Sequence, residues 1–109
     1  MIEQDNKKNV RKPMKRNQSE DPVKVLLEAL LTIKNPQEME RFMRDLCTPQ
    51  EITALAERWR VCRLLNEGDL SYREIHAITG ASLATITRVA RFLKDEPHHG
   101  YRSVLKKMK

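Results

Sequence analysis

The stretch SYREIHAITGASLATITRVARFL, residues 71–93, decides the fold. Ser71 is a good N-cap, and Glu74 three residues on can reach back to it, which makes a capping box and starts a helix. Ile75 and Ile78 give that helix one turn of buried face. Gly80 stops it, because a left-handed residue without a Cβ is least costly there. Ser82 then caps a second helix whose apolar positions Leu83, Ile86, Val89, Ala90 and Leu93 follow helical spacing. A capped helix, a three-residue glycine turn and a second capped helix make a helix-turn-helix over residues 71–93, the layout that lays its second helix in the DNA major groove.

The opposite face of the second helix carries the functional signal. Ala84, Thr85, Thr87, Arg88 and Arg91 lie off the apolar stripe and are expected to point outward. Threonine and alanine near a helix N-terminus suit base-edge hydrogen bonds and thymine methyls, and arginine suits guanine or phosphate. An ordinary amphipathic hairpin inside a helical bundle has no need of small polar and basic residues there.

Upstream, three start signals repeat. Asp21-Pro22, Asn35-Pro36 and Thr48-Pro49-Gln50-Glu51 each place a capping side chain before a proline at the first helical position. Val23, Leu26, Leu27, Leu30 and Leu31 form the first stripe, and Met39, Phe42, Met43 and Leu46 the second. The third helix, residues 49–66, is apolar on several sides: Ile52, Leu55, Ala56 and Trp59 share one face, while Val61, Cys62, Leu64 and Leu65 spread round the rest. Such a helix is a central one. In a chain this short, a second subunit is the natural cover. Gly68 ends it. After Leu93, KDEPHHGY breaks the helix at Pro97 and Gly100, and Tyr101, Val104, Leu105 and Met108 make a last amphipathic turn or two.

The composition narrows the class further. With 109 residues, few glycines, few aromatics and no alternating pattern, the chain reads as one all-α domain. The net charge of +6 is unevenly placed: +4 over residues 1–16, −3 over residues 17–69 and +5 over residues 70–109. Positive charge at the end that holds the helix-turn-helix is the footprint of phosphate neutralisation. Residues 1–20, rich in lysine and arginine, are expected to be a disordered tail or an arm along the DNA backbone, ahead of a helical domain at 21–109. There is no apolar run suited to a signal peptide or a bilayer span. Cys47 and Cys62 then read as reduced core thiols of a cytoplasmic protein. His98 and His99 are adjacent rather than one turn apart, so no metal site is expected. No nucleophile–base pair or phosphate loop points to an enzyme or a cofactor.

Residues 47–88, CTPQEITALAERWRVCRLLNEGDLSYREIHAITGASLATITR, resemble the core of the Trp repressor family. The resemblance rests on T-P-x-E at Thr48, the R-x-R pair Arg58 and Arg60, E-G-D-L-S from Glu67, R-E-I at Arg73, and A-T-I-T-R from Ala84. The closing H-H-G-Y is similar to the YerC/YecD-type branch. The resemblance implies a six-helix, intertwined homodimer that binds double-stranded DNA at a palindromic operator, a transcription regulator acting as a repressor. It implies DNA-facing roles for Arg73, His76, Leu83, Ala84, Thr85, Thr87 and Arg88, His76 standing where the repressor has a lysine.

Thr48, Arg58 and Arg88 match residues around the tryptophan corepressor, whose indole enters a slot between the central helix and the second helix of the reading head. Val89 and Phe92 stand where the repressor has a glycine and a serine. Both are expected on the inward side, with the phenyl ring filling the slot. The pocket would then be vestigial and tryptophan not a corepressor. Two other readings stay open: an amino-acid-responsive repressor with an open pocket, and a helix-turn-helix that binds protein, which requires an apolar outward face.

Overall fold

The computed structural model describes residues 19–108; the expected basic tail, up to residue 18, lies outside them. Among the described residues there are six helices and no strand: α1 (Pro22–Leu31), α2 (Pro36–Leu46), α3 (Pro49–Glu67), α4 (Tyr72–Thr79), α5 (Leu83–Lys94) and α6 (Gly100–Lys107). None of these helices is long and apolar enough to cross a membrane.

Local chemistry accounts for nearly every boundary. Asp21 Oδ1 accepts from the Val23 amide at 3.0 Å, and Asn35 Oδ1 from the Glu38 amide at 2.8 Å. Two full capping boxes open α3 and α4. In the first, the Glu51 amide donates to Thr48 Oγ1 (3.1 Å) while the Thr48 amide donates to Glu51 Oε1 (2.8 Å). In the second, Glu74 and Ser71 exchange the same pair of bonds at the same distances. The α3 helix closes on Gly68 and α4 on Gly80, with φ of +80° and +76°.

The chain forms two compact units that divide between residues 41 and 42. The first holds α1 and the start of α2, and no residue of α1 is buried. Its apolar side chains remain open: Val23 is 63% exposed and Leu31 81%. Among the described residues the buried core lies in the second unit: Val61, Cys62 and Leu65 of α3, Ile75 of α4, Ala81 in the turn, and Ile86, Val89, Ala90 and Leu93 of α5. The α5 helix packs against α3, α4 and α6. Each large aliphatic residue buried there contributes roughly 1.5–3 kcal/mol.

Three expectations change. Ile78 is 48% exposed, because the inner side of α4 runs through Ile75 and Thr79, one turn apart, and the Thr79 hydroxyl donates back to the Ile75 carbonyl. Leu83 is 56% exposed, so the buried stripe of α5 starts at Ile86. Gly100 does not break a helix; it opens α6, after His99 in a left-handed conformation at φ +56°.

Two tests follow from this core. At Gly80 an added Cβ meets nothing within 4 Å, so only the left-handed backbone is at issue. Gly80→Ala is expected to lower the unfolding free energy by about 1 kcal/mol in urea titrations. Burial pushes the Cys62 thiol from 9.0 up to about 11, and the side chain is 0% exposed. At pH 8 the folded protein is expected to be alkylated at the half-buried Cys47 first, with Cys62 slower by roughly a hundredfold or more until pH approaches 11 or urea is added. Mass spectrometry of iodoacetamide-treated protein reads both sites.

Candidate nucleic-acid interface

The turn between α4 and α5 is held from three directions. Ser82 caps α5, its Oγ accepting from the Thr85 amide at 3.1 Å and donating to Thr85 Oγ1 at 3.1 Å. The Ala81 amide donates to Thr79 Oγ1 at 3.0 Å. His76 Nδ1 lies 2.6 Å from the Ala81 carbonyl. A carbonyl only accepts, so Nδ1 carries the proton, and in the neutral ring Nε2 is left as the acceptor. This role for His76 was not visible in the sequence; it fixes the turn across five residues.

With α5 seated by its inner stripe, its other side faces solvent. Ala84, Thr87, Arg88 and Arg91 are exposed, as is Leu83, while Thr85 is half-buried with its hydroxyl engaged by Ser82. Arg73 and His76 are exposed on α4. No acid lies in the first turn of α5, whose N-terminus carries partial positive charge. The arginines have defined neighbours. Arg88 Cζ sits 4.3 Å and Arg91 Cζ 5.1 Å from the centroid of the Phe92 ring. Arg91 Nε also pairs with Glu96 at 3.4 Å.

Of the residues matched to the corepressor pocket, Phe92 is placed differently from the expectation. Phe92 does not turn inward. Its half-buried ring carries the two guanidinium groups and stacks on His98, with centroids 6.1 Å apart and planes 9° from parallel. Position 92 follows the core residue Val89 by three places, which rotates it about 60° away from the inner stripe. Val89 is buried at 1% exposure. Thr48 caps α3 about 15 Å along the helix from Arg58, and its hydroxyl is occupied by Glu51. None of these five lines the open groove of about 520 Å³ at the C-terminal ends of α3 and α5, which Leu65, Leu93, Arg102 and Leu105 help to form.

The ring that does meet α3 beside Arg58 comes from α6. Tyr101 lies 6.2 Å from Trp59, centroid to centroid. Burial raises its phenol pKa, with Cys62 adding to the rise, while Arg58 on α3 and Arg88 on α5 pull it back down. The sequence marked Tyr101 only as part of an amphipathic turn; a contact across 42 positions leaves no periodic trace. Among the described residues no group of three or more histidine, cysteine or acidic side chains is placed to hold a metal ion.

Residues 21–109 match the family model described as Trp repressor protein. The chain is 48% identical over 68 residues to the uncharacterized protein YerC of Bacillus subtilis (strain 168), a match spanning 62% of this chain and 64% of that one. It is 47% identical over 50 residues to the Trp operon repressor homolog of Aliivibrio salmonicida (strain LFI1238), spanning 46% of each. The match thus spans less than two thirds of the length of either relative. Among solved structures, a TrpR-like protein from Eubacterium eligens ATCC 27750 is similar, with a TM-score of 0.74 at 36% identity over 85% of this chain and 91% of the other.

Proposed function

The chain belongs to the Trp repressor family, and on that premise we propose that it is a transcription regulator whose α5 enters the major groove of duplex DNA. It acts as a homodimer on a palindromic operator, represses by occupying the site, and does so without tryptophan as corepressor. The observation that carries this reading is the division of α5 into a sealed face and a free one. Ile86, Val89, Ala90 and Leu93 fix the helix, which leaves Ala84, Thr87, Arg88 and Arg91 exposed on a rigid support. The arginines give phosphate and guanine contacts. Thr87, Ala84 and the exposed Leu83 suit base edges and thymine methyls. The Thr85 hydroxyl, accepting from Ser82, keeps its own proton to donate outward.

The dimer is supported by what the single chain leaves uncovered. Val23, Leu27 and Leu31 of α1 and Leu55 of α3 are apolar and exposed, and the nine buried residues among those described make a small core. A two-fold pairing presents two reading heads, one DNA turn of about 34–36 Å apart or a multiple, and so selects a palindrome. The reading without tryptophan is supported by Val89, whose side chain belongs to the core. Against a protein-binding helix-turn-helix stands the polar and basic outward face of α5.

Binding-site selection from a random duplex pool, followed by titration on the selected site, tests the proposal. Affinity is expected to fall with salt at a log–log slope of about −0.9 per phosphate contacted. Thr87→Ala is expected to cost roughly 1–3 kcal/mol on that site, and Arg88→Ala to flatten the salt slope by about one. Sedimentation should give two chains per duplex, and millimolar tryptophan should leave the affinity unchanged. A salt-independent affinity, or a Thr87→Ala/Arg88→Ala double variant that binds like the wild type, overturns DNA binding through α5. A monomeric complex overturns the dimer, and a rise in affinity with tryptophan overturns the effector-free reading.

A further inference from the structure

We propose that α6 is a built-in brace that sets the orientation of α5 on α3, with Tyr101 and Arg102 as its two positioning residues. The proposal rests on the reading of α5 as the DNA-contacting helix only in what the brace is for; the brace itself is a property of the free protein.

The last carbonyls of a helix have no partners within it and need donors from elsewhere. At the end of α5, the amides of Asp95 and Glu96 both turn back to the Arg91 carbonyl, at 2.8 and 3.1 Å. The Leu93 and Lys94 carbonyls are taken by one side chain. Arg102 Nε donates to Leu93 O at 2.8 Å and Arg102 Nη2 to Lys94 O at 3.0 Å. A planar guanidinium matches two successive carbonyls as an ammonium cannot, and its charge sits at the negative end of the helix dipole. This bond pair ties α6 to α5.

The preceding residue ties α6 to α3. Tyr101 is half-buried, packs against the core cluster and meets the Trp59 ring with planes 39° apart. Neighbouring residues on a helix point about 100° apart, so one turn of α6 reaches α3 with one side chain and α5 with the next. The electrostatics of the phenol agree, since a guanidinium from each helix, Arg58 and Arg88, acts on it. The linking segment is fixed too, by the stack of His98 on Phe92.

The α6 helix has little stability of its own. It is eight residues long, and it is entered through the left-handed His99 with no side-chain cap. A helix that short is marginal alone in water. It persists because it is docked, and while docked it limits how far α5 can roll against α3. The orientation of the reading helix is then set by the chain itself.

The test uses the full-length protein with Tyr101→Ala, Tyr101→Phe, Arg102→Ala and Arg102→Lys. Trp59 is the only tryptophan, so its emission reports directly on the Tyr101 contact. Amide exchange in the free protein reads α5 separately from α3 and α4. Tyr101→Ala and Arg102→Ala are each expected to speed exchange across α5 about tenfold while α3 and α4 stay protected, and to weaken DNA binding by about tenfold. Tyr101→Phe, which keeps the ring, should restore wild-type emission, exchange and affinity. Arg102→Lys should restore little. Should Tyr101→Ala fail to fold, the exposed Arg102 pair decides the matter alone. Unchanged α5 exchange in Arg102→Ala, exchange that rises equally in α3, α4 and α5, or a Tyr101→Phe protein as impaired as Tyr101→Ala overturns the brace. Wild-type protein that binds no DNA overturns the DNA reading instead, and the exchange data still judge the brace.

Discussion

The second compact unit depends on one constraint: α5 must bury one side completely and keep the other in water. Its inner stripe, Ile86, Val89, Ala90 and Leu93, supplies four of the nine residues buried among those described and meets Val61, Cys62 and Leu65 of α3 and Ile75 of α4. At roughly 1.5–3 kcal/mol for each large aliphatic, that stripe supplies energy comparable to the whole net stability of a small domain. The opposite side therefore has no packing duty. It is free to be chosen for recognition, and the residues there are small, hydroxylic or cationic. The same division explains the effort spent on the turn. The Ser82 cap, the bond from His76 to the Ala81 carbonyl and the left-handed Gly80 fix where α5 begins, because a slip of one residue would rotate its exposed side by about 100°.

Much of this was legible from residues alone, and the reason is locality. A capping box needs two side chains three positions apart, and a glycine C-cap needs one residue, so Ser71 with Glu74, Thr48 with Glu51, Gly68 and Gly80 announced the boundaries. What the sequence could not give depended on the width of the neighbour that covers a face. Ile78, Leu83 and Phe92 are apolar and lie within about 60° of a true core position, yet α3 and α4 do not extend over them. Periodicity gives an angle, and only packing gives the edge of the covered arc. Contacts at long separation were equally hidden. The partner of Trp59 lies 42 positions on, and the carbonyls held by Arg102 lie eight and nine positions back across a bend.

The residues matched to a ligand pocket show the same limit in a sharper form. Family correspondence put Thr48, Arg58, Arg88, Val89 and Phe92 together, but three of them have local tasks within the single chain. Thr48 caps a helix, Val89 fills the core, and Phe92 supports two guanidinium groups. A correspondence of positions transfers the backbone. The side-chain volume at those positions is a separate matter, and the resemblance sets a valine and a phenylalanine here against a glycine and a serine.

The arginines show why net charge is a ceiling on phosphate contact rather than a count of it. Residues 70–109 carry eight lysines and arginines against three acids, but those cations are not equivalent. Arg102 is spent within the fold, its guanidinium donating to the Leu93 and Lys94 carbonyls. Arg88 and Arg91 are held by weaker partners. An exposed cation–π contact is worth about 0.5–1 kcal/mol, and a solvent-exposed ion pair such as Arg91 with Glu96 at 3.4 Å contributes little. Contacts of that strength order a guanidinium without trapping it. A phosphate, which accepts charge-assisted and often bidentate hydrogen bonds from arginine, can displace Glu96 while the Phe92 ring keeps its hold on the planar face. The aromatic support and the anion then act on different parts of the same group, face and edge, so the residue that was expected to fill a ligand slot serves instead to aim the two cations beside it.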